Sequence, residues 1–186
     1  MQYDTTVYNP IAVANVFIEL AHKDNVEINA MKLNRLVYLA HGYWLALVER
    51  PLLNEYIIAY PYGPMVVSVK EMFGPKYGKD PITDFGARYE IHESPDGEFT
   101  GASKTYIWMP RREQDEPAIE LINRVWQVYK DIGHIQLTNY CHMIGASPWW
   151  EVAKEYQGAP EEIMIPNILI QEYYKGQLQE VFAETQ

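Results

Sequence analysis

Apolar residues recur at helical spacing along most of the chain. Asn9-Pro10 supplies an N-cap followed by a proline at the first helical position. Ala14, Phe17, Ile18 and Ala21 then mark one buried face, and Lys23-Asp24-Asn25 closes the helix. Asn29 is a second cap. Beyond it Leu33, Leu36, Val37, Ala40, Trp44 and Leu47 lie on a single apolar stripe, with Lys32, Asn34, Arg35 and Glu49 mostly off it. Pro51 restricts the residue before it and stops this helix at Arg50.

The middle of the chain changes texture. Residues 54–60 read as a short extended piece centred on Tyr56-Ile57-Ile58, and the prolines of Tyr60-Pro61-Tyr62-Gly63-Pro64 predict irregular backbone. Pro64 is expected to open a helix through Met65, Val66, Val69 and Met72-Phe73, ended by Gly74-Pro75. Arg88-Tyr89-Glu90-Ile91-His92 and Lys104-Thr105-Tyr106-Ile107-Trp108 alternate as strands do, and Ser94-Pro95-Asp96-Gly97 between them signals a turn. An antiparallel hairpin follows.

Helices resume afterwards. Asp115 is expected to cap a long one with Ile119, Ile122, Val125 or Trp126, Tyr129 and Ile132 inward, closing at Gly133. Thr138 would cap a short helix reaching Gly145. Ser147-Pro148 would cap another holding Trp149-Trp150-Glu151-Val152-Ala153, with Gly158 just beyond. Ile165-Pro166-Asn167 starts the last, through Ile168, Leu169, Tyr173 and Tyr174, before a polar tail expected to fray from Gln177. The pattern predicts a mainly α chain: a single helical domain over 1–186 with a small antiparallel β-hairpin insertion at 85–110 and a frayed tail at 177–186.

Composition narrows the function classes. At 186 residues and 48% apolar the chain can build a core, which excludes wholesale disorder. Its formal charge of −10 argues against duplex DNA or an anionic membrane as partner, while a basic protein remains compatible. No appended basic helix-turn-helix stands out. The single cysteine, Cys141, rules out an intrachain disulfide and a cysteine-rich zinc module, and suits a reducing cytoplasm. The first residues lack the pattern of an export signal, and the longest apolar stretch, residues 36–48, falls short of the ~18 that a membrane span needs.

Candidate chemistry is sparse. His22, His41, His92, His134 and His142 form no His-x-x-x-His or His-Glu-x-x-His pattern, so no metal site is assigned. Instead His41 and His142 read as hydrogen-bonded near the core and the other three as solvated. Cys141 and His142 are neighbours, but adjacent helical residues point about 100° apart, so they make no nucleophilic pair. Phosphate-cradling glycine motifs are missing, and Glu113-Gln114-Asp115-Glu116 and Glu161-Glu162 read as first-turn acids. No catalytic residue and no cofactor are assigned, and the chain is not expected to be an enzyme. The aromatics carry more information. Fifteen tyrosines against five phenylalanines and five tryptophans favour half-wet surfaces such as interfaces. Tyr60-Pro61-Tyr62-Gly63-Pro64 and Pro148-Trp149-Trp150 are the candidate anchors.

These segments resemble a known family. Lys32-Leu33-Asn34-Arg35-Leu36-Val37-Tyr38-Leu39-Ala40-His41-Gly42, then Tyr62-Gly63-Pro64, then Thr138-Asn139-Tyr140-Cys141-His142 and Pro148-Trp149 follow the order of the Panacea domain, the family of SocA-like antitoxins and GepA-like phage-associated proteins. His41 stands where a Gln is common, Cys141 replaces the usual Thr, and the hairpin reads as extra length. The resemblance implies a cytoplasmic antitoxin, often prophage-borne, that neutralises a co-encoded toxin by direct binding. It equally accommodates a proteolytic adaptor serving a AAA+ protease, or a host-interaction protein of a mobile element. A hydrolase or metal enzyme using His142, Cys141 and nearby acids is a third, weaker fit. The motif candidates are Lys32, Arg35, Tyr38, His41, Tyr62, Gly63, Pro64, His142, Pro148 and Trp149. Lys32 and Arg35, on the polar flank of the long helix, are expected to hold the Tyr-Gly-Pro turn or an acidic partner. Gly63 permits the turn that presents Tyr62, and His142 is expected to bond backbone near Ser147-Pro148 beneath Trp149. Each also reads as fold-defining. Acidity is greatest after residue 93, so Glu151, Glu155, Glu161 and Glu162 are the expected contacts of a basic toxin.

Overall fold

A computed structural model describes residues 6–157 and 162–182. Its centre is one helix, α2 (Ala30–Val48), packed against α1 (Pro10–Asp24), α3 (Val67–Tyr77), α4 (Glu116–Tyr129), α5 (His134–Cys141) and α7 (Asn167–Phe182). Both predicted caps form: Asn9 accepts the Ile11 N–H and Asn29 the Lys32 N–H. Each helix ends on a left-handed residue, Asn25 and Glu49. The apolar stripe of α2 describes only part of it. Lys32, Asn34 and Arg35 are buried too, because α2 is surrounded by helices and has no polar flank for most of its length.

The mainly α class holds among the described residues, with two small sheets. The first contradicts the expectation of irregular backbone at the Tyr-Gly-Pro segment. β1 (Ile58–Tyr60) turns at Pro61-Tyr62 into β2 (Gly63–Met65) as an antiparallel hairpin, and β5 (Ile163–Met164) pairs on the other edge of β1. Pro64 therefore sits in a strand and does not start a helix. α3 begins at Val67 and runs through Gly74-Pro75 to Tyr77. Proline this close to the end removes only a bond of the last turns, so the helix continues past it. The second sheet is the predicted hairpin, β3 (Ala87–Glu93) with β4 (Phe99–Tyr106).

Other starts and stops move as well. Asp115 occupies the cap position of α4, yet its carboxylate turns back to accept from Arg112 Nε (2.9 Å), Arg112 backbone N (3.0 Å) and Tyr8 Oη (2.7 Å). Leu121, Ile122, Val125, Trp126 and Tyr129 of α4 are buried, whereas Ile119 and Ile132 are half-buried. Thr138 does not cap α5 but lies inside it, since the helix already begins at His134. Ser147 does cap α6 (Pro148–Ala153), accepting the Trp150 N–H at 3.2 Å. The expected fraying from Gln177 is not seen as far as Phe182: α7 continues because Leu178 and Phe182 still pack on the core. Gly158, Glu161 and residues 183–186 lie outside the described residues. No described helix is long and apolar enough to cross a membrane.

Candidate functional site

The motif residues converge on the β1–β2 turn. Arg35, one turn into α2 and 1% exposed, donates from Nη2 to the Tyr62 carbonyl at 2.7 Å and from Nη1 to the Pro64 carbonyl. Asn34 beside it holds both polar groups of Val66, donating to its carbonyl (2.8 Å) and accepting its N–H (3.2 Å). From the other side Trp149 Nε1 donates to the Tyr60 carbonyl at 2.7 Å. Alternate carbonyls of this segment therefore point inward and are held, which fixes the turn as a rigid knob.

Gly63 is what allows the close approach. Its φ of +113° lies where L side chains are strained, and a Cβ there would come within 3.2 Å of both Arg35 Nη2 and His142 Cβ. His142 bonds the Thr138 carbonyl through Nδ1 at 2.5 Å, one turn back on α5, rather than backbone near Ser147. Its ring stands edge-on to Trp149, 5.3 Å between centroids.

The other motif residues also face inward. Lys32 donates Nζ to the Lys130 carbonyl, at the C-terminal end of α4 where the helix dipole favours a cation; burial lowers its pKa, with Asp131 opposing. Tyr38 packs edge-on to Tyr174, and Gly42 leaves the room that the Tyr174 ring fills, since a Cβ would lie 2.4 Å from it. His41 is fully buried, accepts the Leu53 N–H at Nδ1 (3.4 Å) and faces Asn167 Oδ1 through Nε2 (3.2 Å). Burial pulls its pKa down to about 4, against the Asn167 bond, which raises it. Cys141 is buried, and desolvation pushes its thiol up to about 12 despite Arg35, so it lacks the thiolate character of a nucleophile at neutral pH.

Of the ten motif candidates, nine are buried or half-buried and Tyr62 alone is solvent-facing, at 75% exposure. Gly63 abuts His142. The next residues out, Tyr62 on one side and Met143-Ile144 on the other, are all exposed. Among the described residues no group of three or more His, Cys, Asp or Glu side chains could hold a metal.

Sequence reasoning missed two structural asparagines. Asn34 is one. Asn15, fully buried in α1, is the other: it accepts the Gly86 N–H (2.7 Å) and donates to the carbonyls of Gly86 (2.9 Å) and Ile107 (2.6 Å), locking the root of the β3–β4 hairpin. A polar residue on an otherwise apolar helix face, next to Ala14 and Val16, was the available signal.

No solved structure matches the protein. Over 69 residues the chain is 38% identical to Antitoxin SocA of Caulobacter vibrioides (strain NA1000 / CB15N), a stretch that covers 36% of this chain and 37% of that protein. The match thus spans little more than a third of the relative's length. The family model described as "Antitoxin SocA-like, Panacea domain" matches residues 33–149, from the motif helix through the β1–β2 turn to Trp149. The chain belongs to the SocA-like antitoxin family with the Panacea domain.

Proposed function

We propose that the protein is a non-catalytic antitoxin that neutralises a co-encoded toxin by direct protein–protein binding. One observation carries the reading. Arg35 and Trp149 of the family motif are turned inward and hold backbone carbonyls of the β1–β2 turn, which leaves one aromatic side chain, Tyr62, at its surface. An exposed tyrosine on a turn whose carbonyls are held from within, with Met143 and Ile144 also exposed just beyond His142, has the makeup of a binding anchor, because aromatic and methionine side chains are enriched in interface cores. Neither a thiolate nor a metal cluster accompanies it among the described residues.

The test is co-expression with the product of the adjacent open reading frame. Growth arrest by that product alone, relief by this protein, and a complex that co-elutes on gel filtration are expected. Tyr62→Ala should weaken the complex roughly 10-fold or more, the loss typical of a truncated anchor. A neighbour that is harmless alone, or that stays toxic beside this protein, ends the reading.

A further inference from the structure

The β3–β4 ribbon stands away from the helical body with one apolar face uncovered. Register places Tyr89 opposite Lys104, Ile91 opposite Ala102 and Ala87 opposite Tyr106, so these share a face, and Phe99 follows opposite Glu93 beyond a bulge. Tyr89 is 61% exposed, and Ile91 and Phe99 are each 69% exposed. The opposite face carries Arg88, Glu90 and His92 against Thr105, Ser103 and Gly101. This is the alternation of a strand pair that buries one face, yet no described element covers it.

The ribbon is firmly rooted nonetheless. Asn15 holds both Gly86 and Ile107. Asp84 accepts from Lys104 and from Tyr106 Oη (3.1 Å), and these bonds keep its pKa below the usual value. Phe85 packs on Trp108 at 4.7 Å, extending the aromatic surface from the ribbon onto the body.

Charge selects the occupant. The ribbon's carboxylates, Glu90, Glu93, Asp96 and Glu98, outnumber its cations, and Lys104 is already neutralised by Asp84. A second copy would bring like-charged rims together, and phosphate backbones or anionic lipid would be repelled. Lys104 already lies over the Tyr89 and Tyr106 rings, 5.9 and 4.6 Å from their centroids, but a Lys/Arg-rimmed protein surface meets the acidic rim and can stack a cation on the exposed Phe99 ring. Backbone pairing at the ribbon's edge is a poorer use, since the bulge after His92 twists that edge away. We infer that the Tyr89–Ile91–Phe99 face of the ribbon is a docking surface for a basic, apolar-centred patch of the toxin. The inference rests on the antitoxin reading and supplies a contact beyond Tyr62.

The experiment uses the full chain with the adjacent open reading frame's product. A face variant, Tyr89→Ser/Ile91→Ser/Phe99→Ser, should lose rescue of growth and weaken binding at least about 30-fold, with circular dichroism and melting temperature unchanged. A control on the other face, Arg88→Ser/Thr105→Ser, should bind as wild type. Glu93→Lys/Glu98→Lys should weaken binding roughly 10-fold and flatten its salt dependence while leaving the apolar face intact. If wild type neutralises the toxin and the face variant does so equally, the docking surface is refuted and the antitoxin reading survives. Equal loss in both face and control variants refutes the face assignment. A wild-type dimer that the face variant makes monomeric without affecting toxin binding assigns the face to a second copy and overturns the proposal. Failure of wild type to neutralise ends both readings.

Discussion

Replacing Arg35 with methionine tests whether the inward-facing motif holds the fold. Two opposing terms decide the outcome. The guanidinium is buried beside Tyr38, Cys141 and Tyr174 with no carboxylate partner among the described residues, and desolvation lowers its pKa. Methionine relieves that cost. Against this, the Tyr62 and Pro64 carbonyls lose charge-assisted bonds, each worth ~1.5–3 kcal/mol, and an orphaned buried carbonyl costs ~1–3 kcal/mol. The turn can open partly to water, which returns some of that. A net destabilisation of about 3 kcal/mol is expected, two orphaned carbonyls at ~1–3 kcal/mol each less what water and the relieved desolvation return. For a chain of this length, that corresponds to a fall in melting temperature of roughly 6–12 °C. Urea melts followed by tryptophan fluorescence would give midpoint and slope together, and Trp149, bonded to Tyr60 across the same turn, reports locally. Lysine at position 35 should rescue little, because one ammonium cannot reproduce the two-pronged geometry. A methionine variant within about 0.5 kcal/mol of wild type, in the range of an ordinary surface change, would refute the reasoning.

Three further outcomes follow from the same geometry. Gly63→Ala should cost about 1–3 kcal/mol in a thermal melt, because φ is +113° and the new Cβ meets Arg35 and His142 at 3.2 Å. Gly42→Ala should cost about 1–3 kcal/mol or more and loosen α7, seen as faster amide exchange there, because the Tyr174 ring occupies the Cβ position. His41 is protonated more readily unfolded than folded, since its folded pKa is depressed from 6.5 to about 4. The stability it supports is complete above pH 6.5 and drains as pH falls toward 4, by up to about 1.4 kcal/mol per unit. His41→Gln should flatten that part of a pH–stability curve, and an unchanged curve would refute the assignment.

Why some of this was legible in sequence and some was not follows from range. Asn9, Asn29 and Ser147 each cap the helix that follows them, and capping is a bond between near neighbours, so sequence spacing sufficed. Ribbon alternation likewise set the β3–β4 pairing. Pro64 misled because Arg35 and Asn34, 29 and 32 residues away from their acceptors, hold the 62–66 backbone extended where a proline would otherwise open a helix. Asp115 misled for the same reason: its partner Tyr8 is 107 residues distant. Lys32 and Arg35 looked like a polar flank because a stripe count assigns cations outward. The near-continuous apolar run of α2 was the contrary signal, that of a helix covered on all sides.

The same burial changes what the formal charge means. Lys32 and Arg35 spend two cations on backbone carbonyls inside the protein, while among the described residues a single carboxylate, Asp115, is comparably buried. The surface is therefore more acidic than the formal −10 suggests. Not all of that acidity is equally available. Glu151 pairs with Lys154, and Glu162 accepts from Tyr60 Oη at 2.9 Å, so two of the four acids expected to meet a basic toxin are already engaged, and Glu161 lies outside the described residues. The ribbon rim, by contrast, sets its acids around exposed aromatic and aliphatic side chains. On the proposed docking reading, acidity there would do two things at once: repel a second copy at the apolar face and raise the encounter rate with a cationic partner. If the ribbon docks the toxin, this arrangement of exposed apolar side chains within a ring of acids selects for opposite charge, which solubility alone would not require.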